Sequence, residues 1–583
     1  MGERRKILAR ADLHVHSKYS NRPTEWLLRQ VGAPESFTEP KEIYRRCRER
    51  GMQLVTISDH DSIEGALEIQ HLPGTFLSSE VTVEFPEDGC EIHLLVLGIT
   101  EGQHRDLQEI RRNIYEVRDY VRGQGIPYSV AHPLFRVNDC LTLDQVEKLL
   151  VLFDRFEARN GMHDRRANDL VRRIFGSLTP EIVEDLAERH RLEPFSSTPW
   201  IKSFTGGSDD HCGLYPGTTW TQTPEAPTVE EFLGHLRAGR HEPGGETGSS
   251  ARLLQSLYTI SYEHYRRQFP FGLERNDPFS RLLRGLALPG SSERGRWRFW
   301  GWRRKQTPTL AAGPSGERAT FCAASRASQK HLAHMLRDFV RHARRGRLME
   351  GMASVAQLAP FALSVAPHLV AVHSLHKDAD LLDAASERFL GRRLEGRSGK
   401  RAWLTDSLVE ASGMAEVLET LPGAEHGPLE AVTCATDAGS RTAGFQVYRF
   451  PSWQQIRLPG WTGRKVAVPP LLEVIDRCET ERYSEIVIST PGPFGLLGIL
   501  AGKLLGIPVT AVWQKDIPAR VRSVSGSEAL AEMAWAYQRW LFGQAVRIWV
   551  PSHPERKTLI ARGFDPARLA VIPAGRSLSL VAR

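Results

Sequence analysis

Ala11-Asp12-Leu13-His14-Val15-His16-Ser17 is the stretch on which the reading of this chain turns. Apolar residues at 11, 13 and 15 alternate with polar ones at 12, 14 and 16. That is the period of a strand, and it sends both imidazoles off the same face. A lone pair of this kind is more often two partly exposed surface histidines than a binding site. Its meaning depends on what the rest of the chain sets beside it.

Working outward, short β-rich runs are expected as strands at Ala11–His16, Leu54–Asp59, Thr75–Val83, Ile92–Gly98, Pro127–His132, Arg155–Asn160 and Phe204–Asp209. Amphipathic stretches at Lys41–Arg50, Gln103–Gln124, Leu143–Phe153 and Arg165–Phe175 are expected as the helices between them. This is an α/β chain of β/α units, the form of a barrel or a doubly wound sheet. Polar residues recur where these strands end: Ser58-Asp59-His60-Asp61, Glu80, His93, Ala131-His132-Pro133 and Asp209-Asp210-His211. Taken singly, Asp59 or Asp61 would be helix caps and His132, before a proline, a turn residue. A barrel gathers strand carboxyl ends on one face, so the set together predicts a cage of histidines and carboxylates that includes His14, His16, Glu80, His132, Asp209 and His211.

In this order, the motifs D-x-H-x-H-S at Asp12–Ser17, S-D-H-D at Ser58–Asp61, Glu80, His93, A-H-P at Ala131–Pro133 and S-D-x-H at Ser208–His211 resemble the PHP family, the polymerase and histidinol phosphatase superfamily, over residues 8–243. The resemblance implies a distorted (β/α)7 barrel that hydrolyses phosphate esters with two or three divalent ions. It implies one ion held by His14, His16, Glu80 and Asp209, and a second sharing Glu80 and adding His93 and His132. A third would take His60, His211 and Asn21, where the family usually has an acid or a histidine. Glu157 and Asn160 resemble a family element near the pocket. Nitrogen and oxygen ligands without thiolates suit Zn²⁺, Mn²⁺ or Fe²⁺. Such ions acidify a water to a pKa of about 7 and clamp the phosphoryl oxygens. His211 or His93, where not engaged by an ion, is expected to protonate the leaving oxygen.

The totals are those of a globular protein of several domains: 583 residues, 25% charged and 41% hydrophobic. A net charge of +7 is small for this length and does not favour nucleic acid as a partner. The seven cysteines are scattered, odd in number and never in a C-x-x-C pair, so reduced thiols and a cytoplasmic location are expected. The apolar window Ser354–His373 contains Gln357, Pro360, Pro367 and His368 and is expected as a buried helical segment.

Residues 244–400 read as a helical, Arg-rich linker region. Within it, Arg296-Trp297-Arg298-Phe299-Trp300-Gly301-Trp302-Arg303-Arg304-Lys305 suits a membrane interface, a nucleic-acid surface or a solvated linker. Of these, peripheral membrane contact is carried as an expectation. From Arg401 strands are expected again at Arg401–Leu404, Gln446–Arg449, Ile486–Ser489, Val509–Trp513, Ile548–Val550 and Leu569–Ile572.

Trp403-Leu404-Thr405-Asp406, the loop around Gly413, Ser489–Gly495, Val512–Pro518 and Ala570–Gly575 resemble the Rossmann-like amino-terminal half of a GT-B-type retaining glycosyltransferase, group 1 or family 4-like, over residues 401–583. The resemblance implies a nucleotide-sugar donor, with Gly413 at its diphosphate. The family's main donor site lies in a second Rossmann domain that these residues do not include, so the expectation is either a degenerate binding module or a separate glycosyltransferase C-terminal domain, supplied by a partner chain or an interrupted reading frame. Three functions follow for test: a metal-dependent phosphoesterase acting on a phosphorylated small molecule or glycan; a glycosyltransferase-family protein with a PHP accessory domain; and a non-catalytic binding scaffold.

Overall fold

The computed structural model describes residues 8–21, 23, 26–268, 278–287, 313–344, 358–392, 398–406, 427–434, 446–452, 454–457, 465–513 and 517–572. Contacts divide the chain into two compact units, Met1–Ala324 with Asp378–Leu394, and Ser325–Lys377 with Glu395–Arg583. The 244–400 stretch, expected as one helical region, contributes helices to both.

In the first unit β1 (Leu8–Ala11), β2 (Ser78–Glu84), β3 (Glu91–Leu97), β4 (Tyr128–Val130), β5 (Arg155–Asn160), β6 (Ser203–Gly207), β7 (Thr219–Pro224) and β8 (Glu242–Gly245) form two sheets. One has the order β2-β3-β4-β5-β6 and the other β1-β7-β8. The first is mixed, antiparallel from β2 to β4 and parallel from β4 to β6. Two expected strands are therefore corrected. The 11–16 run ends as a regular strand at Ala11, and 54–59 forms only isolated bridges. Their ladder bonds are replaced by buried carboxylates: Asp12 accepts from the N–H groups of Ser208 (2.9 Å) and Gly217 (2.7 Å), and Asp59 from that of Ser17 (2.6 Å). Both segments still extend the sheet. Ser58 N donates to Val15 O at 2.9 Å, Asp61 N to Glu80 O at 2.9 Å and His16 N to Asp210 O at 3.0 Å, so hydrogen bonds run from β2 through 54–61 and 13–16 back to the end of β6.

Apolar side chains behind this ring fix it. Val81, Val83, Leu94, Val96, Val130 and Phe156 are buried against Leu149, Leu150, Ile174 and Phe175 of the helices Leu143–Leu152 and Arg165–Phe175. The single helix expected over 103–124 is two, Glu101–Ile110 and Ile114–Gln124, because Asn113 caps the second through Tyr115 N at 3.1 Å. Residues 378–394 belong to this unit through Leu381, Leu382 and Ala385 in the same core and the Arg136–Asp380 pair at 2.7 Å. A boundary after residue 243 would cut β8, so the first unit reaches further than the sequence suggests.

In the second unit, β9 (Ser398–Leu404), β10 (Leu429–Thr433), β11 (Gln446–Arg449), β14 (Tyr483–Ile488), β15 (Val509–Val512), β16 (Arg547–Val550) and β17 (Leu569–Val571) form one sheet in the order β11-β10-β9-β14-β15-β16-β17. All its pairs are parallel. The hairpin β12 (Gln454–Arg457) and β13 (Lys465–Val468) stands apart from it. This is a doubly wound, Rossmann-like sheet with its switch point between β9 and β14. Trp403 on β9 is fully buried, and its indole N–H donates to Ser489 Oγ at 2.9 Å. Trp403→Ala is expected to cost this unit about 3–5 kcal/mol, read as a lowered urea midpoint; a loss under about 1 kcal/mol would contradict the packing.

The helix Leu358–His376 buries Ser364, Val365, Pro367, His368, Ala371 and Val372, a smaller share than the expected buried segment, whose first residues, 354–357, lie outside the described residues. By length and composition, one helical run among the described residues, Leu358–Leu390, is long and apolar enough to cross a membrane. The basic and aromatic run at 296–305 lies outside the described residues.

Candidate metal centre

The ring delivers the expected side chains to one place. Glu80, on β2 and fully buried, is the hub. Its Oε2 lies 3.1 Å from His14 Nε2, 3.2 Å from His16 Nε2 and 3.2 Å from His60 Nδ1, while its Oε1 lies 2.9 Å from His93 Nδ1 and 3.3 Å from His132 Nε2. Asp209 Oδ1 is 3.3 Å from both His14 Nε2 and His16 Nε2. Groups able to hold an ion are His14 with His16 and Asp209; His14 with Glu80 and His132; His60 with Glu80 and His93; and His16 with His60 and His211.

The donor set fits divalent ions on three counts. Ligands about 2.1 Å from an ion stand about 3.0 Å apart at right angles and about 3.4 Å apart at tetrahedral angles, the spacing seen around Glu80. The buried atoms His16 Nε2, Glu80 Oε1 and His211 Nε2 make no hydrogen bond despite these close neighbours, so they approach one another off the directions a hydrogen bond needs. The opposite ring nitrogens are held in place: His14 Nδ1 by Glu157 Oε1 at 3.1 Å, His16 Nδ1 by Ser20 Oγ at 3.0 Å and His211 Nδ1 by the Asp209 carbonyl at 3.0 Å. Outer partners of this kind orient metal-binding imidazoles.

Ligand chemistry needs ionised acids and neutral imidazoles; the acids, His60 and His211 meet that need, while His14 and His16 carry protons that an ion would displace. Burial acts to raise Glu80 and Asp209, but the histidines around them hold both well below the ordinary carboxylate range. Burial pushes His60 well down and His211 down to about 3, keeping both neutral. Burial also opposes charge on His14 and His16, yet the facing carboxylates hold both above the usual histidine value, His16 at about 10. The centre is thus a locus that attracts positive charge.

Backbone strain marks the same place. Three of the six non-glycine residues with positive φ among the described residues are Asp61 (53°), His132 (27°) and Asp209 (53°), at or beside the cluster. Gly207 closes β6 against His14: a Cβ there would strike the His14 Cβ and sit 2.6 Å from its backbone N. Gly207→Ala is expected to displace His14 and cost about 3 kcal/mol, seen as a lowered thermal midpoint of the first unit; an unchanged midpoint would contradict it.

Asn21, expected in the third ligand set, is exposed. Glu35, which sequence reasoning missed, is buried and places Oε2 3.4 Å from His60 Nε2 and Oε1 3.7 Å from His211 Nε2. It sits in Gly32-Ala33-Pro34-Glu35-Ser36, between helices and without a strand pattern, so nothing local announces it. His163 was also missed. It stands 3.7 Å from Asp209 Oδ2 and groups with His132 and Asp209, and its place just after β5 was a legible signal. Glu157 and Asn160 both touch the centre: Asn160 Nδ2 donates to Glu157 Oε2 at 2.9 Å and to Asp209 Oδ2 at 3.0 Å.

At the switch point of the second unit, the Asp406 carboxylate accepts from Thr490 Oγ1 and from Phe494 N (3.1 Å), at the start of the helix Pro493–Leu505. A Cβ on Gly492 would lie 2.7 Å from Asp406 Cγ and would push that carboxylate aside. Gly413 lies outside the described residues.

Residues 411–575 match the family described as glycosyl transferase 4-like domain. Uncharacterized protein MJ1587 of Methanocaldococcus jannaschii is 37% identical over 67 residues, 12% of this chain and 37% of that protein. The GDP-mannose-dependent alpha-mannosyltransferase of Mycobacterium tuberculosis is 36% identical over 77 residues, 13% of this chain. The chain spans 37% and 20% of the lengths of these curated relatives. Among solved structures, PsfC from Pseudomonas syringae is 14% identical with a TM-score of 0.27, covering 45% of this chain and 99% of its own. A Bifidobacterium adolescentis protein assigned as a metal-dependent phosphoesterase is 17% identical with a TM-score of 0.20, covering 44% and 96%. At these scores neither structure carries an argument about chemistry.

Proposed function

We propose that this chain is a glycosyltransferase-family protein whose first unit is a divalent-metal-dependent phosphoesterase. The comparisons favour the transferase reading of the chain, because they reach residues 411–575. The phosphoesterase reading rests on one observation: five imidazole nitrogens within 2.9–3.3 Å of the two oxygens of one buried carboxylate, Glu80. We read the ring of strands and bridged segments around it as a distorted seven-stranded barrel.

In this reading His14, His16, Glu80 and Asp209 hold one ion, Glu80, His93 and His132 a second, and His60, His211 and Glu35, in place of Asn21, a third. Two or three Zn²⁺, Mn²⁺ or Fe²⁺ ions would supply Lewis acidity to a phosphoryl group and an acidified water. The chain's own residues orient and charge-match that site. Glu157 and Ser20 set the ring directions of His14 and His16, and Asn160 bridges Glu157 to Asp209. His93 and His211, expected as proton donors, stand in ligand positions and are kept as ligands.

Full-length protein should release phosphate from nitrophenyl mono- or diesters with one of Mn²⁺, Zn²⁺ or Fe²⁺ and stop when chelated. No turnover with any of the three would contradict the proposal. The transferase reading is supported by the match at 411–575 and by the mannosyltransferase relative. Calorimetry should detect a nucleoside-diphosphate sugar, GDP-mannose first, and absence of heat with several donors would contradict it. A phosphorylated glycan substrate, a separate C-terminal glycosyltransferase domain, peripheral membrane contact and a cytoplasmic location belong to the same proposal.

A further inference from the structure

The helix Ser250–Gln268 lies beyond the domain that the sequence motifs delimit, yet one after another of its residues reaches a loop that carries a proposed ligand. Near its end, the Arg267 guanidinium donates to the Phe37 carbonyl at 3.1 Å and covers the Phe37 ring at 4.8 Å, with the His264 ring 6.1 Å from that ring. Phe37 is two residues from Glu35. In the middle of the helix, Ser256 Oγ meets Cys212 Sγ at 3.3 Å and Gln255 Oε1 accepts from Tyr215 Oη at 2.6 Å, holding the loop that begins at Asp209 and His211. At the start, Arg252 donates to the Gly161 carbonyl at 3.2 Å beside His163, stacks on Tyr215 at 4.4 Å and is paired with Glu317 at 3.0 Å. Just before the helix, Gly248 N donates to the His163 carbonyl at 2.8 Å.

We infer that this helix is a positioning element of the metal centre, deciding whether the position framed by His16, His60, His211 and Glu35 fills. The inference rests on the phosphoesterase reading and extends it beyond the residues of the motifs. Its logic is the difference between the three positions. His14, His16, Glu80, His93 and His132 lie on or next to the hydrogen-bonded ring rather than on the loops that the helix touches. Glu35 and His211 hang on loops, and a carboxylate 3.4 and 3.7 Å from its neighbours is lost to the site by a shift of the Phe37 segment of about 1 Å. The helix is the clamp common to both loops.

The test uses the full chain, loaded with Mn²⁺ or Co²⁺, and counts bound metal by elemental analysis and by titration calorimetry, with thermal unfolding measured alongside. Arg267 is about half exposed, so Arg267→Ala should fold. It should lose one equivalent of metal, or weaken that equivalent about 10- to 100-fold, the size typical of outer-partner losses. The other equivalents and the thermal midpoint of the metal-free protein should stay unchanged. Arg267→Lys, which can still reach the Phe37 carbonyl, should restore the site, and Glu35→Gln should lose the same single equivalent. Full retention in Arg267→Ala, or equal loss of every equivalent, would overturn the inference while leaving the phosphoesterase reading standing. A wild-type chain that binds no metal would overturn that reading and the inference with it.

Discussion

Glu80→Ala is expected to lower metal-dependent phosphate release at least about 10³-fold, with the loss in kcat. The size follows from what Glu80 joins: its two oxygens face His14, His16 and His60 on one side and His93 and His132 on the other. Removing them takes the shared acceptor from two of the proposed cation positions together and leaves five imidazoles facing each other. Glu80→Gln separates charge from packing. The amide keeps the volume but offers one neutral oxygen, so it should fail almost as badly. Steady-state rates at saturating Mn²⁺, with circular dichroism to check folding, give the answer. A variant keeping more than a tenth of the wild-type rate would show that the carboxylate is a structural acid.

Chelation is expected to destabilise the first unit and leave the second alone. Each ion at about a thousand times its dissociation constant adds about 4 kcal/mol to the state that binds it, and in a unit of this size that is worth about 6 °C in the unfolding midpoint. Without ions, the buried and ionised Asp209 and Glu80 have only protons on His14 and His16 to offset them, a weaker compensation than a divalent ion gives. Scanning calorimetry with and without dipicolinate should show one transition moving and one fixed. Two unmoved transitions would mean that the cage is balanced by its own protons.

The site was more legible in the sequence than the fold around it. Histidines and acids at strand ends are few and ordered; His14, His16, His60, His93 and His132 of the motifs meet at Glu80, with Asp209 and His211 beside them. The alternation at 11–16 and 54–59 predicts regular strands. Asp12 and Asp59 spend that pattern on loop N–H groups instead. β10 has five buried residues in a row, so no alternation marks it. Pro243, Gly244 and Gly245 make β8 look like a breaker, although it pairs along its whole length with β7. Glu35 has no local signal: a buried carboxylate supplied by a loop shows no periodicity, whereas Asn21 stands in a motif and is exposed. Six of the seven strands of the parallel sheet are legible from Arg401 onward because buried parallel strands alternate there with helices, as at Tyr483–Ile488, Pro493–Leu505 and Val509–Val512.

The measurement that bears most directly on the metal centre is an anomalous-scattering map from crystals of the full chain grown with Mn²⁺ or Zn²⁺. Two or three peaks should appear around Glu80, each about 2.0–2.2 Å from its nitrogen and oxygen ligands, with the third, where filled, beside Glu35 and His211. A clear map with the side chains of His14, His16, Glu80 and Asp209 ordered and no peak among them would contradict the account.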